Sequence, residues 1–321
     1  MHLLRDLPAK LSRHTALMVT LAALLGAIRP ATFGWVQGES QVALLGLIML
    51  AMGVTLAPKD VRELARRPWI VAAGTLAQFT VMPCAAWAIA KALGLPPALT
   101  AGLLLVGTCP GGVSSNLMSW LCKGDVAYSV GMTTLSTLLA PLATPLLTLL
   151  LAGVTVQVDP WPMFRSILTV TLAPVLLGFL LNTFLGTTAF CRHLCAAMPA
   201  VAVLALGCIV GGVASQQSGA ILASGPLIFA AVLLHNASGY LLGYASATAL
   251  RLTPPQRRTL SIEVGMQNAG LATVLATRHF PQMPEAAMLC AMACIWHSVS
   301  GAVLANLFLS LQRAPKPDST P

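Results

Sequence analysis

Two short runs concentrate the groups able to do chemistry. The first, GTCPGGVSSN at residues 107–116, sets Pro110, Gly111 and Gly112 just before Ser114, Ser115 and Asn116. The second, IEVGMQNAG at residues 262–270, arranges Glu263, Gln267 and Asn268 around Gly265. Proline removes a backbone donor and glycine lowers the cost of leaving a helix, so the first run is a place for a helix to unwind. Oxygens of hydroxyls, amides and a carboxylate beside freed carbonyls suit a hard cation. The N–H groups that open the next half-helix suit an anion. Glu263 is the sharpest residue of the set. Of nine Asp and Glu it alone falls midway along an apolar stretch long enough to cross a bilayer, where a carboxylate costs about 2.5–3.5 kcal/mol on insertion scales. No Lys or Arg lies within one helical turn of it, so a bound cation is a better counter-charge than a salt bridge.

The elements that must position these residues are membrane spans. The 321-residue chain is 57% hydrophobic and 8% charged, with a mean hydropathy of +0.82, which excludes an ordinary soluble domain. Apolar stretches of about 20 residues, bounded by charges or Gly/Pro breaks, predict ten spans. They run over 15–28, 40–57, 69–92, 97–122, 126–152, 164–184, 199–217, 222–248, 256–279 and 284–311. A cytoplasmic N-terminus leaves only Arg29, Lys91, Arg165 and Arg278, of 18 Lys and Arg, on the outer side. That asymmetry places both termini in the cytoplasm and accounts for the net charge of +9 without nucleic acid. The basic residues are spread over short loops, and removing the first span as a signal peptide would spoil their alternation. The eight cysteines, mostly within spans, read as small apolar residues rather than a disulfide framework.

The chain divides near residue 155 into two sets of five spans, 1–155 and 156–321, each with its oddest sequence in its fourth span. An odd number of spans per half turns the halves into inverted repeats, so the two interrupted helices, 4 and 9, can cross near the midplane with their breaks adjacent. Unwound backbone is tolerated there only where protein or a cavity covers it. The fold class is an all-α polytopic membrane protein of ten transmembrane helices. Read alone, Pro110 with its glycines is equally a proline kink, and the Ser/Asn run equally interhelical glue. Ser129 and Thr133, four apart on one face, read by themselves as back-bonded to their own helix before they read as ligands. His297 can donate to a carboxylate or bond a neighbouring helix, while His235 and Asn236 read as a structural hydrogen-bonded pair.

From LGLIMLAMGVTLAPKD (45–60) through GTCPGGVSSN, LHNASGYLLG and IEVGMQNAGLA to IWHSVSG, the chain resembles the bile acid:sodium symporter family, in particular its ten-helix bacterial members. The resemblance implies a panel of spans 1, 2, 6 and 7 moving against a core of spans 3–5 and 8–10. It implies one sodium ion held by Ser115, Asn116, Ser129, Thr133 and Glu263. A second would be held by Gln78, Glu263, Gln267 and the carbonyls of Val264 and Met266. It further implies a substrate cavity at Val113, Ser114, Asn268, His297 and Ser298. Here the chain departs from its relatives, which often have Thr at the place of Val113 and Asn at that of Ser298.

The expected activity is sodium-driven import of a small organic anion, bile-acid-like or pantoate-like, across the inner (plasma) membrane, with two sodium ions and no other cofactor. No obligatory protein partner is implied. Proton coupling, as in sodium/proton antiporters with crossing broken helices, is the nearest alternative. An intramembrane enzyme or a non-transporting sensor is the alternative of another class, but no nucleophile–base pair or metal cluster stands out to support an enzyme.

Overall fold

The structure, a computed structural model, describes residues 14–58, 66–112, 114–153, 158–216 and 218–313, with 218–224 as backbone. Val113 therefore lies outside the described residues, as do Arg5, Lys10, Arg13, Lys59, Arg62 and Lys316 of the charge pattern. Among the described residues the fold is helical without a β-strand. The order is α1 (Thr15–Ile28), α2 (Glu39–Thr55), α3 (Pro68–Ala92), α4 (Pro97–Thr108), α5 (Ser114–Leu121), α6 (Val126–Ala152), α7 (Pro160–Leu185), α8 (Ala189–Gln216), α9 (Ser218–Ala249), α10 (Pro254–Gly265), α11 (Ala269–His279) and α12 (Pro284–Arg313). Among the described residues six helices, α3, α6, α7, α8, most of α9 and α12, are long and apolar enough to cross a membrane, and α1, α2 and α4 are shorter apolar helices.

Helix starts follow local chemistry. Proline opens α3, α4, α7, α10 and α12, where its missing N–H is one that the first turn would leave unpaired anyway. Asp125 caps α6 through the Tyr128 N–H at 3.1 Å, and Asp159 caps α7 through that of Trp161 at 3.1 Å. The Asp159 cap starts α7 at residue 160 rather than 164. Likewise Thr188 receives the Cys191 N–H at 3.1 Å and starts α8 ten residues before the expected 199, with Pro199 accommodated inside it. A π-turn at Leu168–Leu172 precedes Pro174, whose ring and missing donor disturb the ladder.

α1 packs on α8, and α2 on α7 and α8; elsewhere α3 packs on α4, α6 and α9, α9 on α10, and α12 on α11 and α4. Apolar side chains such as Ile28, Leu76, Leu150 and Phe184 stay largely exposed, as a lipid-facing surface requires. Cohesion between such helices comes from close packing and polar contacts, since lipid tails are as apolar as leucine. One buried apolar cluster joins Leu103–Leu105 of α4, Leu271 and Leu275 of α11, and Ala286, Leu289 and Ala293 of α12.

Candidate functional site: the crossing of two interrupted helices

Each interruption leaves helix-end carbonyls without helical donors, and each finds a specific substitute. At the end of α4 the Thr144 hydroxyl donates to Thr108 O at 2.7 Å. At the end of α10 the Asn236 amide donates to Gly265 O at 2.8 Å, and the Gln267 amide to Val264 O at 2.6 Å. The two breaks also serve each other. Gly112 N–H donates to Met266 O and Asn268 N–H to Pro110 O, both at 2.8 Å, and Gly111 pairs with Gln267 as an isolated antiparallel bridge. This bridge is what holds the two runs of unusual sequence in contact.

Glu263 sits beside it, wholly buried. The Ser115 hydroxyl donates to its Oε1 at 2.7 Å, that of Thr133 to its Oε2 at 2.9 Å, and that of Ser129 also bonds Oε1. Asn116 Oδ1 lies 2.8 Å from Ser129 Oγ and 3.3 Å from Thr133 Oγ1. Each hydroxyl carries one proton, yet each stands within bonding reach of at least two acceptors, Ser115 facing Gly112 O at 2.6 Å as well and Thr133 facing Ser129 O at 3.0 Å. The cluster is thus over-supplied with oxygen lone pairs, and among the described residues no Lys or Arg pairs with the carboxylate. Converging oxygens with too few protons suit a hard cation, and a buried carboxylate without a basic partner must take up either a cation or a proton. Gly111 permits the approach: a Cβ there would stand 3.1 Å from Glu263 Oε2.

The structure brings Ser115, Asn116, Ser129, Thr133 and Glu263 into one cluster. Gln78 and Gln267 meet through a 3.1 Å amide–amide bond, and Gln78 Oε1 is buried without a protein partner among the described residues. The carbonyls of Val264 and Met266 already accept from Gln267 and Gly112, which leaves each one lone pair. His235 and Asn236 do not bond each other; His235 Nε2 reaches Met82 O at 3.0 Å, and Asn236 closes the end of α10. Ser136, which receives the Gly111 N–H at 3.2 Å, was not anticipated, although Ser129, Thr133 and Ser136 repeat at the spacing of one helix face.

A cavity of about 450 Å³ adjoins the crossing. One wall carries Gly112, Ser114, Asn116, Gln267, Asn268, His297 and Ser298; the other is apolar, with Leu45 and Ile48 of α2 and Ala202, Val203 and Leu206 of α8. Both α5 and α11 begin at this wall, presenting the positive ends of two helices to whatever occupies the cavity. His297 Nδ1 lies 3.3 Å from Gln267 O, while Nε2 is buried without a protein partner among the described residues. Asn268 uses Oδ1 to cap α11 at Leu271 N, 3.0 Å away, and its amide hydrogens face Met49 Sδ at 3.9 Å. The Ser298 hydroxyl turns back to Cys294 O at 3.0 Å.

Residues 42–224 match the family model described as the Sodium Bile acid symporter family. An uncharacterized sodium-dependent transporter of Bacillus subtilis, YocS, is 43% identical over 289 residues, covering 90% of this chain and 88% of its own length. A probable sodium/metabolite cotransporter of Arabidopsis thaliana, chloroplastic, is 42% identical over 298 residues, 93% of this chain and 73% of the relative. Its counterpart in Oryza sativa is 41% identical over 293 residues, 91% and 71%. The family model ends before Glu263, but these alignments span about nine-tenths of the chain. The relatives are named as transporters, not enzymes. A helical membrane scaffold, a buried oxygen cluster at two crossing breaks and this similarity agree: the chain belongs to the sodium bile acid symporter family.

Proposed function

We propose that this protein is a sodium-coupled symporter that imports a small organic anion across the plasma membrane by alternating access. The single observation that carries the reading is the oxygen cluster around buried, uncompensated Glu263. One sodium ion binds Ser115, Asn116, Ser129, Thr133 and Glu263. A second binds Gln78, Glu263, Gln267 and the Val264 and Met266 carbonyls, so the carboxylate serves both ions. The names of the relatives, sodium-dependent transporter and sodium/metabolite cotransporter, support sodium as the coupling ion.

The anion lies in the adjoining cavity, against the N-termini of α5 and α11 and the amide of Asn268. His297 Nε2, Ser114 and Ser298 complete that end, and the apolar wall of α2 and α8 takes the body of the molecule; Val113, outside the described residues, is a further substrate contact that the family resemblance implies. A small metabolic acid of the pantoate type fits this pattern: its carboxylate takes the polar end, its hydroxyls have Asn268 and His297 nearby, and its dimethyl carbon meets the apolar wall. Two sodium ions with a monoanion move one net positive charge inward, which adds about 2.3 kcal/mol per 100 mV of membrane potential. Sodium orders the unwound segments that also bind the anion, so each raises the affinity of the other by the same factor.

The ten spans, formed by joining α4 with α5 and α10 with α11, make two inverted repeats, 1–155 and 156–321. The panel is α1, α2, α7 and α8, and it rocks against a core of the remaining helices. The cavity reaches Thr15, the first residue of α1, and Thr55, the last of α2, which is the cytoplasmic end in the proposed topology. On α7, near the opposite end, Ser166 Oγ meets His279 Nε2 of α11 at 3.0 Å, a contact between panel and core that outward opening must break.

The test is a thermal-shift screen of carboxylates in sodium and then in potassium, followed by uptake into proteoliposomes. Carboxylate-dependent stabilisation that needs sodium, with uptake driven by a sodium gradient, supports the proposal. Uptake that follows a proton gradient and ignores sodium rejects it in favour of proton coupling.

A further inference from the structure

The three helices that carry Gln78, Ser129 with Thr133, and Glu263 are tied together at the end where all three begin. Asp125, the cap of α6, donates its N–H to Thr259 Oγ1 at 2.9 Å, and Thr259 lies 3.3 Å from Asp125 O, so its hydroxyl can return a bond to the same residue. The Asp125 carboxylate receives Gln256 of α10 at 3.3 Å and Arg67, just before α3, at 3.1 Å. Thr259 is fully buried, whereas the Arg67 side chain is 51% exposed. The tie between α6 and α10 therefore resides in the buried Thr259, with Gln256 beside it, since an ion pair that is half in water contributes little. Gly124 makes room for it: a Cβ there would stand 2.5 Å from Thr259 Oγ1 and 2.9 Å from Ser119 O.

The register of this tie relates it to the oxygen cluster. Thr259 precedes Glu263 by four residues, and Asp125 precedes Ser129 by four. Residues four apart share a helix face, one above the other. The Asp125–Thr259 contact and the Ser129–Glu263 contact are thus successive rungs between the same two helices, one turn apart. A slide or rotation of α10 on α6 that breaks one displaces the other.

We propose that Asp125 and Thr259 are positioning residues for the ion site: they fix the register of α6 against α10 so that Ser129, Thr133 and Glu263 meet at coordinating distance. This rests on the sodium reading of that cluster. Ion ligands must hold their distances within a few tenths of an ångström, and a buried rung one turn away is a direct way to hold them.

The test reads the sodium midpoint of thermal stabilisation in the full-length purified protein, titrated with sodium chloride against choline chloride at constant ionic strength. Thr259→Val keeps the shape and removes both bonds. It raises the sodium midpoint roughly tenfold, the scale seen for partners that orient ion ligands. Thr259→Ser restores the hydroxyl and returns the midpoint to within about twofold of wild type. Arg67→Gln changes it by no more than about twofold. Gly124→Ala, which presses a methyl on the same hydroxyl, raises the midpoint as Thr259→Val does and serves if that variant does not accumulate. A Thr259→Val or Gly124→Ala protein that melts earlier without sodium yet keeps the wild-type midpoint overturns the proposal, because the tie is then structural alone. Wild-type protein indifferent to sodium overturns the sodium reading itself, a distinct result.

Discussion

The two interruptions are built on different principles. The first is written into its own sequence: Pro110 withholds a donor, and Gly111 and Gly112 lower the cost of non-helical backbone. The second contains no proline, and beyond its own Gln267 and Asn268 its shape is imposed by groups brought to it from other helices. Asn236 of α9 takes the Gly265 carbonyl, Tyr240 packs against Gly265, and the first break itself bonds Met266 and Asn268. Their chemistry divides in the same way. The first break and the neighbouring α6 supply hydroxyls and an amide, and the second supplies the one carboxylate. Neither half makes the cluster alone, so the helices are coupled through the ion they are proposed to share.

The comparison can be broken at the carboxylate. Glu263→Ala removes the negative charge the site is built to balance, and sodium-gradient-driven uptake in proteoliposomes falls at least about 100-fold while the protein still inserts and purifies. Gly111→Ala strikes the contact between the two breaks. Its methyl would sit 3.1 Å from Glu263 Oε2 and shift the carboxylate by a few tenths of an ångström, so the sodium concentration for half-maximal uptake rises roughly tenfold. Ser129→Ala and Thr133→Val each remove one hydroxyl from the first half's contribution. Each raises the same concentration about tenfold, and the two together raise it by less than the product of the single effects because they share a ligand set.

The smallest effects sharpen the difference in how the breaks are made. Asn236→Ala leaves a buried carbonyl at the imposed break without its donor and destabilises the protein by about 1–3 kcal/mol, read as a lowered melting temperature. Pro110→Ala at the self-encoded break, where two glycines and Thr144 remain, costs under about 1 kcal/mol. A larger loss for Pro110→Ala than for Asn236→Ala would reverse the assignment of local and imposed.

Sequence and structure part company along the same line. The apolar runs, and the interruption at Pro110, were legible because hydropathy and proline act locally. Glu263 was legible because a carboxylate at that depth is costly whatever surrounds it. The start of α8 was not, because Thr188 caps a helix whose first turns carry Arg192 and His193 and read as loop. The partner of Asn236, and the roles of Ser136 and Thr259, were missed for another reason. Single polar residues in apolar helices bond their own backbone as readily as a distant helix, and the partners of Asn236, Ser136 and Thr259 lie 29, 25 and 134 positions away. The Met266 carbonyl shows the converse: expected as an ion ligand, it also receives the Gly112 N–H that joins the breaks.

The central claim, that alkali metal neutralises Glu263 at the crossing, is tested most directly by equilibrium binding of radioactive sodium to purified protein at constant ionic strength. The expected result is saturable binding displaced by unlabelled sodium but not by potassium, and lost in Glu263→Gln. Equal sodium binding by wild type and Glu263→Gln, or none by wild type, would contradict it.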